Sequence, residues 1–255
     1  MHGWVSVLAR RRALALALGA GALLVARIGL VDAQSIGITL TWATPPDAAL
    51  PSGWSPLTFD KIPRHTRYSV IEDAGRIVLK AQSDRSASGL IHPLKADARQ
   101  LPLLRWQWKV ENTLRNGDVT RKAGDDYPAR VYVAFAYDPA RASLVQRIKY
   151  QALRLIYGAY PPHAGLNYIW DTRAPLGTTV PNPFTDRVRM FVVESGDANV
   201  GKWREYERNL YEDYKSAFGE EPPMISGIAI MTDTDNTGES ATAYYGEISI
   251  LPSAH

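Results

Sequence analysis

GDDYPARVYVAF, residues Gly124 to Phe135, leaves an acidic turn through Pro128 and enters a run in which Val131, Val133 and Phe135 alternate with Arg130, Tyr132 and Ala134. A period of two places alternate side chains on opposite faces, so this is a strand with one apolar face and one that begins with an arginine and a tyrosine. Asp125 and Asp126 stand at its mouth. Upstream, LLRWQWKV (Leu103 to Val110) alternates as cleanly, with Leu104, Trp106, Trp108 and Val110 on one side and Arg105, Gln107 and Lys109 on the other. The tryptophans read as core, and the polar residues as a solvated face or one wall of a groove.

Further runs of strand length lie at Thr66–Ile71, Arg76–Gln82, Ser88–His92, Leu166–Asp171, Arg187–Glu194, Ile225–Thr232 and Ala241–Leu251, separated by turn residues. Asp73-Ala74-Gly75 suits a hairpin turn between the first two. Two segments break the rhythm. Ala142–Gly158 has apolar residues at helical spacing, and Trp203–Phe218 reads as a second helix stopped by Gly219 and Pro222-Pro223. The expected fold class is all-β, a jelly-roll-like β-sandwich with one or two helical insertions.

The N-terminus reads as an export signal. Arg10, Arg11 and Arg12 precede the apolar stretch Ala13–Ala26, and Val31-Asp32-Ala33 offers a cleavage site after Ala33. Arg27 interrupts the apolar run after about 14 residues, short of the roughly 20 that a spanning helix needs, so no membrane span is expected once the signal is removed. A periplasmic or secreted protein follows, with an arm or linker over residues 34–53 and a single domain over residues 54–255. The formal excess of 29 basic over 26 acidic residues belongs to the signal: Arg10, Arg11, Arg12 and Arg27 against Asp32 account for it, and removing them leaves the totals equal. Nucleic acid is therefore not an expected partner.

The chain has no cysteine, which excludes disulfides, thiolate catalysis and thiolate metal sites. It carries no G-x-S-x-G, H-E-x-x-H or phosphate-binding glycine loop. The second polar concentration is TDTDNTG, Thr232 to Gly238. Asp233, Asp235, Thr237 and Gly238 follow the spacing of a calcium loop, but Thr237 stands where an acid or amide is usual, and Tyr244 stands where the bidentate glutamate belongs. An Asx-rich turn is the expected reading and calcium the lesser one. A glycosidase needs two carboxyl groups about 5–5.5 or 6.5–9.5 Å apart, which Asp126 with Asp233 or Asp235 supplies if the two turns meet. A nearby arginine would lower their pKa and favour a structural ion pair.

Taken in order, LRWQWKV, GDDYPARVYVAF, LNYIWD, the DY…FGEEPP run, and GIAIMTDTDNTG with AYYGEI resemble the bacterial domain of unknown function 3047 family over Trp54 to Leu251. The resemblance implies an exported single-domain β-sandwich and assigns no activity, substrate or catalytic residue. Trp203, Asp213-Tyr214, Phe218-Gly219 and Pro222-Pro223, followed by a strand ending in an Asp-rich turn, are similar to the closing half of jelly-roll carbohydrate-binding modules. The expected site is a groove formed by Arg105, Gln107, Lys109, Arg130 and Tyr132, closed by Asp125, Asp126, Asp233, Asp235 and Asn236, with Trp170 or Tyr168 as a stacking platform. Three functions remain open on these residues: a non-catalytic module for a glycan or similar envelope ligand, a polysaccharide hydrolase or lyase, and a structural protein of the envelope.

Overall fold

The computed structural model describes residues 36–44, 49–140, 143–145, 147, 150–151 and 162–253. The expected export signal lies outside them. So does most of the expected helix Ala142–Gly158, of which Leu144, Val145, Arg147, Tyr150 and Gln151 are described and helical.

Thirteen strands are described: β1 Ile38–Leu40, β2 Ser55–Leu57, β3 Arg67–Asp73, β4 Arg76–Asp84, β5 Ala87–Ala96, β6 Leu103–Val110, β7 Arg130–Phe135, β8 Ala164–Asp171, β9 Thr179–Asn182, β10 Thr185–Ser195, β11 Arg204–Asn209, β12 Ile225–Asp233 and β13 Ser240–Leu251, together with a helix, α1, at Leu210–Phe218 and a 3-10 turn at Lys122–Gly124. They form a jelly-roll-like sandwich of two sheets. The six-stranded sheet runs β11-β6-β13-β4-β3 with β1 also on β13; the seven-stranded sheet runs β2-β5-β12-β7-β8-β10-β9. All pairings are antiparallel except β8 with β10.

The period-two alternation of the sequence decides the core. From β6, Leu104, Trp106, Trp108 and Val110 are buried, and from β7, Val131, Val133 and Phe135. Trp106 meets Tyr168 of β8 at 5.2 Å between ring centroids, and Trp108 meets Trp170 at 6.4 Å. Each such ring removes on the order of 200 Å² from water, about 5 kcal/mol of gross stabilisation. With no disulfide available, these aromatic contacts between the sheets are what join them.

Asp73 pairs with Arg76 across a two-residue turn in which Ala74 (φ 51°) and Gly75 (φ 77°) are both left-handed, as a tight hairpin requires. The stretch expected as an arm carries β1. Its Trp42 is 2 % exposed, donates its indole N–H to the Gly246 carbonyl at 2.9 Å and packs on Trp54.

The expected helix Trp203–Phe218 is half strand. Arg204–Asn209 pairs with β6 along the sheet edge, Tyr206 stacks on Trp106 at 5.3 Å, and only Leu210–Phe218 is helical. Asn209 is the hinge: extended at φ −90°, it accepts from Glu212 N as the helix N-cap, and Gly219 closes the helix at φ 70°.

A second apolar cluster lies on the outer face of the seven-stranded sheet, where Val119 and Tyr127 of the β6–β7 loop cover Ile169, Met190 and Val192. The loop hides half of that face and leaves the β7–β12 half open. β8 is consequently buried along its whole length, which explains why its sequence does not alternate.

Candidate functional site

The core-facing residues of β7 fix where its other side chains go. Arg130 and Tyr132 point away from the core on the outer face of the seven-stranded sheet, beside Met231 and Ala229 of β12. Arg130 is nevertheless only 3 % exposed. Its Nε donates to Asp233 Oδ1 at 2.7 Å, its Nη2 pairs with Asp233 Oδ2, and the same nitrogen donates to the Asp125 carbonyl at 3.0 Å. Nη1 donates to the Tyr132 hydroxyl at 3.0 Å and lies 3.7 Å from Asp125 Oδ1. The Tyr127 ring stacks under the guanidinium, 4.6 Å from centroid to Cζ. Burial with both faces and all edges engaged makes this a fixed cation.

The acidic turn and the TDTDNTG turn meet, as the carboxylate-pair expectation required. Asp126, Asp233 and Asp235 each bring a carboxylate oxygen to within 4.8 Å of the others. Their availability differs. Asp126 accepts from Asn236 Nδ2 (3.1 Å), Thr237 N (2.6 Å) and Thr237 Oγ1 (2.7 Å), clasping the β12–β13 turn, and both oxygens of Asp233 belong to Arg130. The pair Asp126 with Asp233 is therefore a structural one, whereas in the alternative pair, Asp126 with Asp235, one carboxyl is not so engaged. Asp235 has no hydrogen bond from another residue's side chain among the described residues. Of the two acids in the calcium-loop spacing, Asp233 holds the guanidinium with both oxygens, whereas Asp235 does not.

Around this network opens a groove of about 420 Å³. Phe59 and Ile62 border one side, Phe184 and Val188 the other, and Asp125, Asn182, Asp235 and Asn236 supply polar groups. Phe184 sits at the tip of the β9–β10 hairpin, whose last pair is Asn182 with Thr185. Asn182 Oδ1 accepts from Phe184 N at 3.0 Å while its Nδ2 donates to Asp125 at 3.3 Å. Burial raises the Asp125 carboxyl above the usual carboxylate range, against the lowering effect of Arg130 and Asn182. Burial also raises Asp235, with the Asp126 charge adding to it.

The remaining expected site residues are elsewhere. Arg105, Gln107 and Lys109 lie on the outer face of the six-stranded sheet, with the whole sandwich between them and Arg130. There Arg105 pairs with Glu207, Gln107 donates to Glu205 at 2.7 Å, and Lys109 donates to Asp73 at 2.7 Å, shared with the Trp203 indole at 2.8 Å. They brace β6 against β11 and the β3–β4 turn. Trp170 is fully buried between the sheets with its indole N–H on the Gly196 carbonyl at 3.0 Å, and the Tyr168 hydroxyl is spent on Asp213 at 2.8 Å, so neither is a stacking platform. The exposed rings that border the groove, Phe59 and Phe184, were not among the expected residues. Phe184 had a signal, a lone aromatic in the proline-rich turn Pro181–Pro183.

Among solved structures, the chain is similar to the family 11 carbohydrate-binding module from Clostridium thermocellum in complex with a β-1,3-1,4-mixed-linked tetrasaccharide, at 10 % identity over 87 % of this chain and 99 % of that one, with a TM-score of 0.42. It is similar at 10 % identity to a low-affinity xylan-binding module from Roseburia intestinalis, over 78 % of this chain and 96 % of that one, with a TM-score of 0.29. Likenesses at this level say nothing of what this chain binds. No curated protein matches it. The family model described as protein of unknown function (DUF3047) matches residues 52–249, nearly the whole sandwich, and the chain belongs to that family.

Proposed function

We propose that the protein is an exported, non-catalytic binding module that seats a glycan or a similar polyhydroxylated ligand of the cell envelope in the groove over β7 and β12. One observation carries this reading: Phe59 and Phe184, 38 % and 58 % exposed, border a groove whose polar groups include carboxyls and amides gathered around the buried Arg130. Sugar rings present C–H faces to aromatic rings and hydroxyls to carboxyl and amide groups, and such a site gains affinity from being formed in advance. Export rests on the Arg10–Arg12 and Ala13–Ala26 pattern ahead of Ala33.

A glycan array followed by calorimetry on the wild type, Phe184→Ala and Asn182→Ala tests the site. Binding by the wild type that falls about tenfold or more in both variants is the expected result, and a reducing-sugar assay is expected to stay flat. Glycan binding that ignores both substitutions would remove the groove from the account. N-terminal sequencing of the protein recovered from a periplasmic fraction tests the cleavage after Ala33.

A further inference from the structure

Beyond the turn that Asp126 clasps lies a second cavity of about 290 Å³, lined by Asn116, Asp118, Arg121, Arg173, Asn236 and Thr237 among others. Asn236 lines both this cavity and the groove, so the two are neighbours across one side chain. Their charges differ in sign. The groove holds Asp125, Asp233 and Asp235 against Arg130, and the second cavity holds Arg121 and Arg173 against Asp118.

Among the described residues Arg121 and Arg173, like Arg67, Arg76, Arg115 and Arg189, have no carboxylate within 4.0 Å, whereas Arg64, Arg99, Arg105, Arg187, Arg204 and Arg208 each reach one. Of the six without such a partner, Arg121 and Arg173 are the two that line this cavity. One guanidinium nitrogen of Arg173, Nη2, donates to the Arg115 carbonyl, which leaves its other nitrogens for a ligand. Asp118 is occupied by its own turn, accepting from Thr120 N at 3.0 Å and Thr120 Oγ1 at 2.6 Å, and these hydrogen bonds hold its carboxyl below the usual range. One wall is close-packed at Gly124. A Cβ on Gly124 would lie 2.7 Å from Asp118 N and 3.0 Å from the Asn116 carbonyl, so the loop bearing Asn116 and Asp118 is packed directly on the backbone of the acidic turn.

We propose that this cavity is a second subsite for an acidic substituent, a carboxylate or a phosphate, on a ligand whose neutral sugar rings occupy the groove. It rests on the groove reading above and adds the chemical class of the ligand, an acidic oligosaccharide. Paired guanidinium groups beside amides form the donor array that carboxylates and phosphates require. Placed one side chain away from the groove, the array reads the residue next to the one stacked on Phe184.

The test uses oligosaccharides in matched pairs, each an acidic member bearing uronate carboxylates or phosphate esters and the same backbone with the carboxyls reduced or the phosphates removed. Each is titrated against the wild type, the double variant Arg121→Gln/Arg173→Gln, and Phe184→Ala. The expected result is that acidic members bind the wild type about tenfold more tightly than their neutral partners. The double variant should abolish that gap while keeping neutral binding, and raised salt should narrow it in the wild type. Members of every pair binding alike, with Phe184→Ala weakening both, overturns the subsite and leaves the groove intact. Absence of binding by every member removes the groove reading, and the subsite with it. Both arginines are exposed, so the double variant is expected to melt with the wild type, and a melt confirms that any loss is not unfolding.

Discussion

Asn182 bridges the acidic turn and the β9–β10 hairpin: its Nδ2 lies 3.4 and 3.3 Å from the two carboxylate oxygens of Asp125, and its Oδ1 accepts from the backbone of Phe184. The carboxyl of the acidic turn and the ring at the hairpin tip are thus placed by one amide. Asn182→Ala is expected to cost about 1–2 kcal/mol in urea unfolding, the value of the lost hydrogen bonds to a charged group. Asn182→Asp should cost more, because it sets a second carboxylate against Asp125.

The Arg130–Asp233 pair is 3 % and 1 % exposed. Asp233→Asn takes from the guanidinium its closest charge partner, leaving only Asp125 at 3.7 Å, and is expected to destabilise by about 3–5 kcal/mol. Replacing both residues with apolar ones of similar volume should recover much of the loss in thermal melts. A double variant no more stable than the single one would contradict this account of the pair.

Asp125 and Asp235 have carboxyls raised by burial, so their folded forms hold protons more tightly than the unfolded chain does. From these two groups, stability is lost as pH rises from the ordinary aspartate range through their raised values, and regained on acidification. Asp73 and Asp118 are lowered, chiefly by hydrogen bonds from Lys109 and Thr120, and act oppositely: their contribution is present above the ordinary value and lost below it. Asp235→Asn is therefore expected to raise the Tm at pH 7 and to lose that advantage by about pH 4. A Tm gain that persists unchanged into acid would show that Asp235 is not the source.

Trp170 belongs to the core, and substitution separates that from a binding role. Trp170→Ala is expected to cost about 3–5 kcal/mol, whereas Trp170→Phe should fold and bind groove ligands with wild-type affinity. Loss of affinity in folded Trp170→Phe would return the ring to the site.

Gly124→Ala puts a methyl group against Asp118 N and Asn116 O and is expected to destabilise by about 1–3 kcal/mol. The loop that walls the second cavity should become more susceptible to proteolysis in that variant.

The strands were legible in the sequence because β6 and β7 alternate strictly, and alternation tells which side of a strand is buried. It does not tell which sheet the strand joins. Arg105, Gln107 and Lys109 were for that reason grouped with Arg130, when both sets point away from the same core in opposite directions. Trp170 was obscured differently: the β6–β7 loop covers the outer face of β8, so buried residues run without interruption and offer no phase. In Trp203–Phe218 the charged residues of β11 suited an exposed helix face as well as a sheet edge, and only pairing with β6 separates the two. The sequence leaves open whether the acidic turn meets TDTDNTG, because it does not show that β7 and β12 are neighbours; their pairing brings the two turns together.

Trp42 and Trp54 lie 4.7 Å apart between centroids with 30° between their planes. Two indoles held that close couple their electronic transitions, so the pair is a chromophore that exists only while β1 is seated on β13. The circular-dichroism difference between the wild type and Trp42→Phe therefore follows attachment of the first strand apart from the Trp106–Trp108 and Trp108–Trp170 contacts of the sandwich.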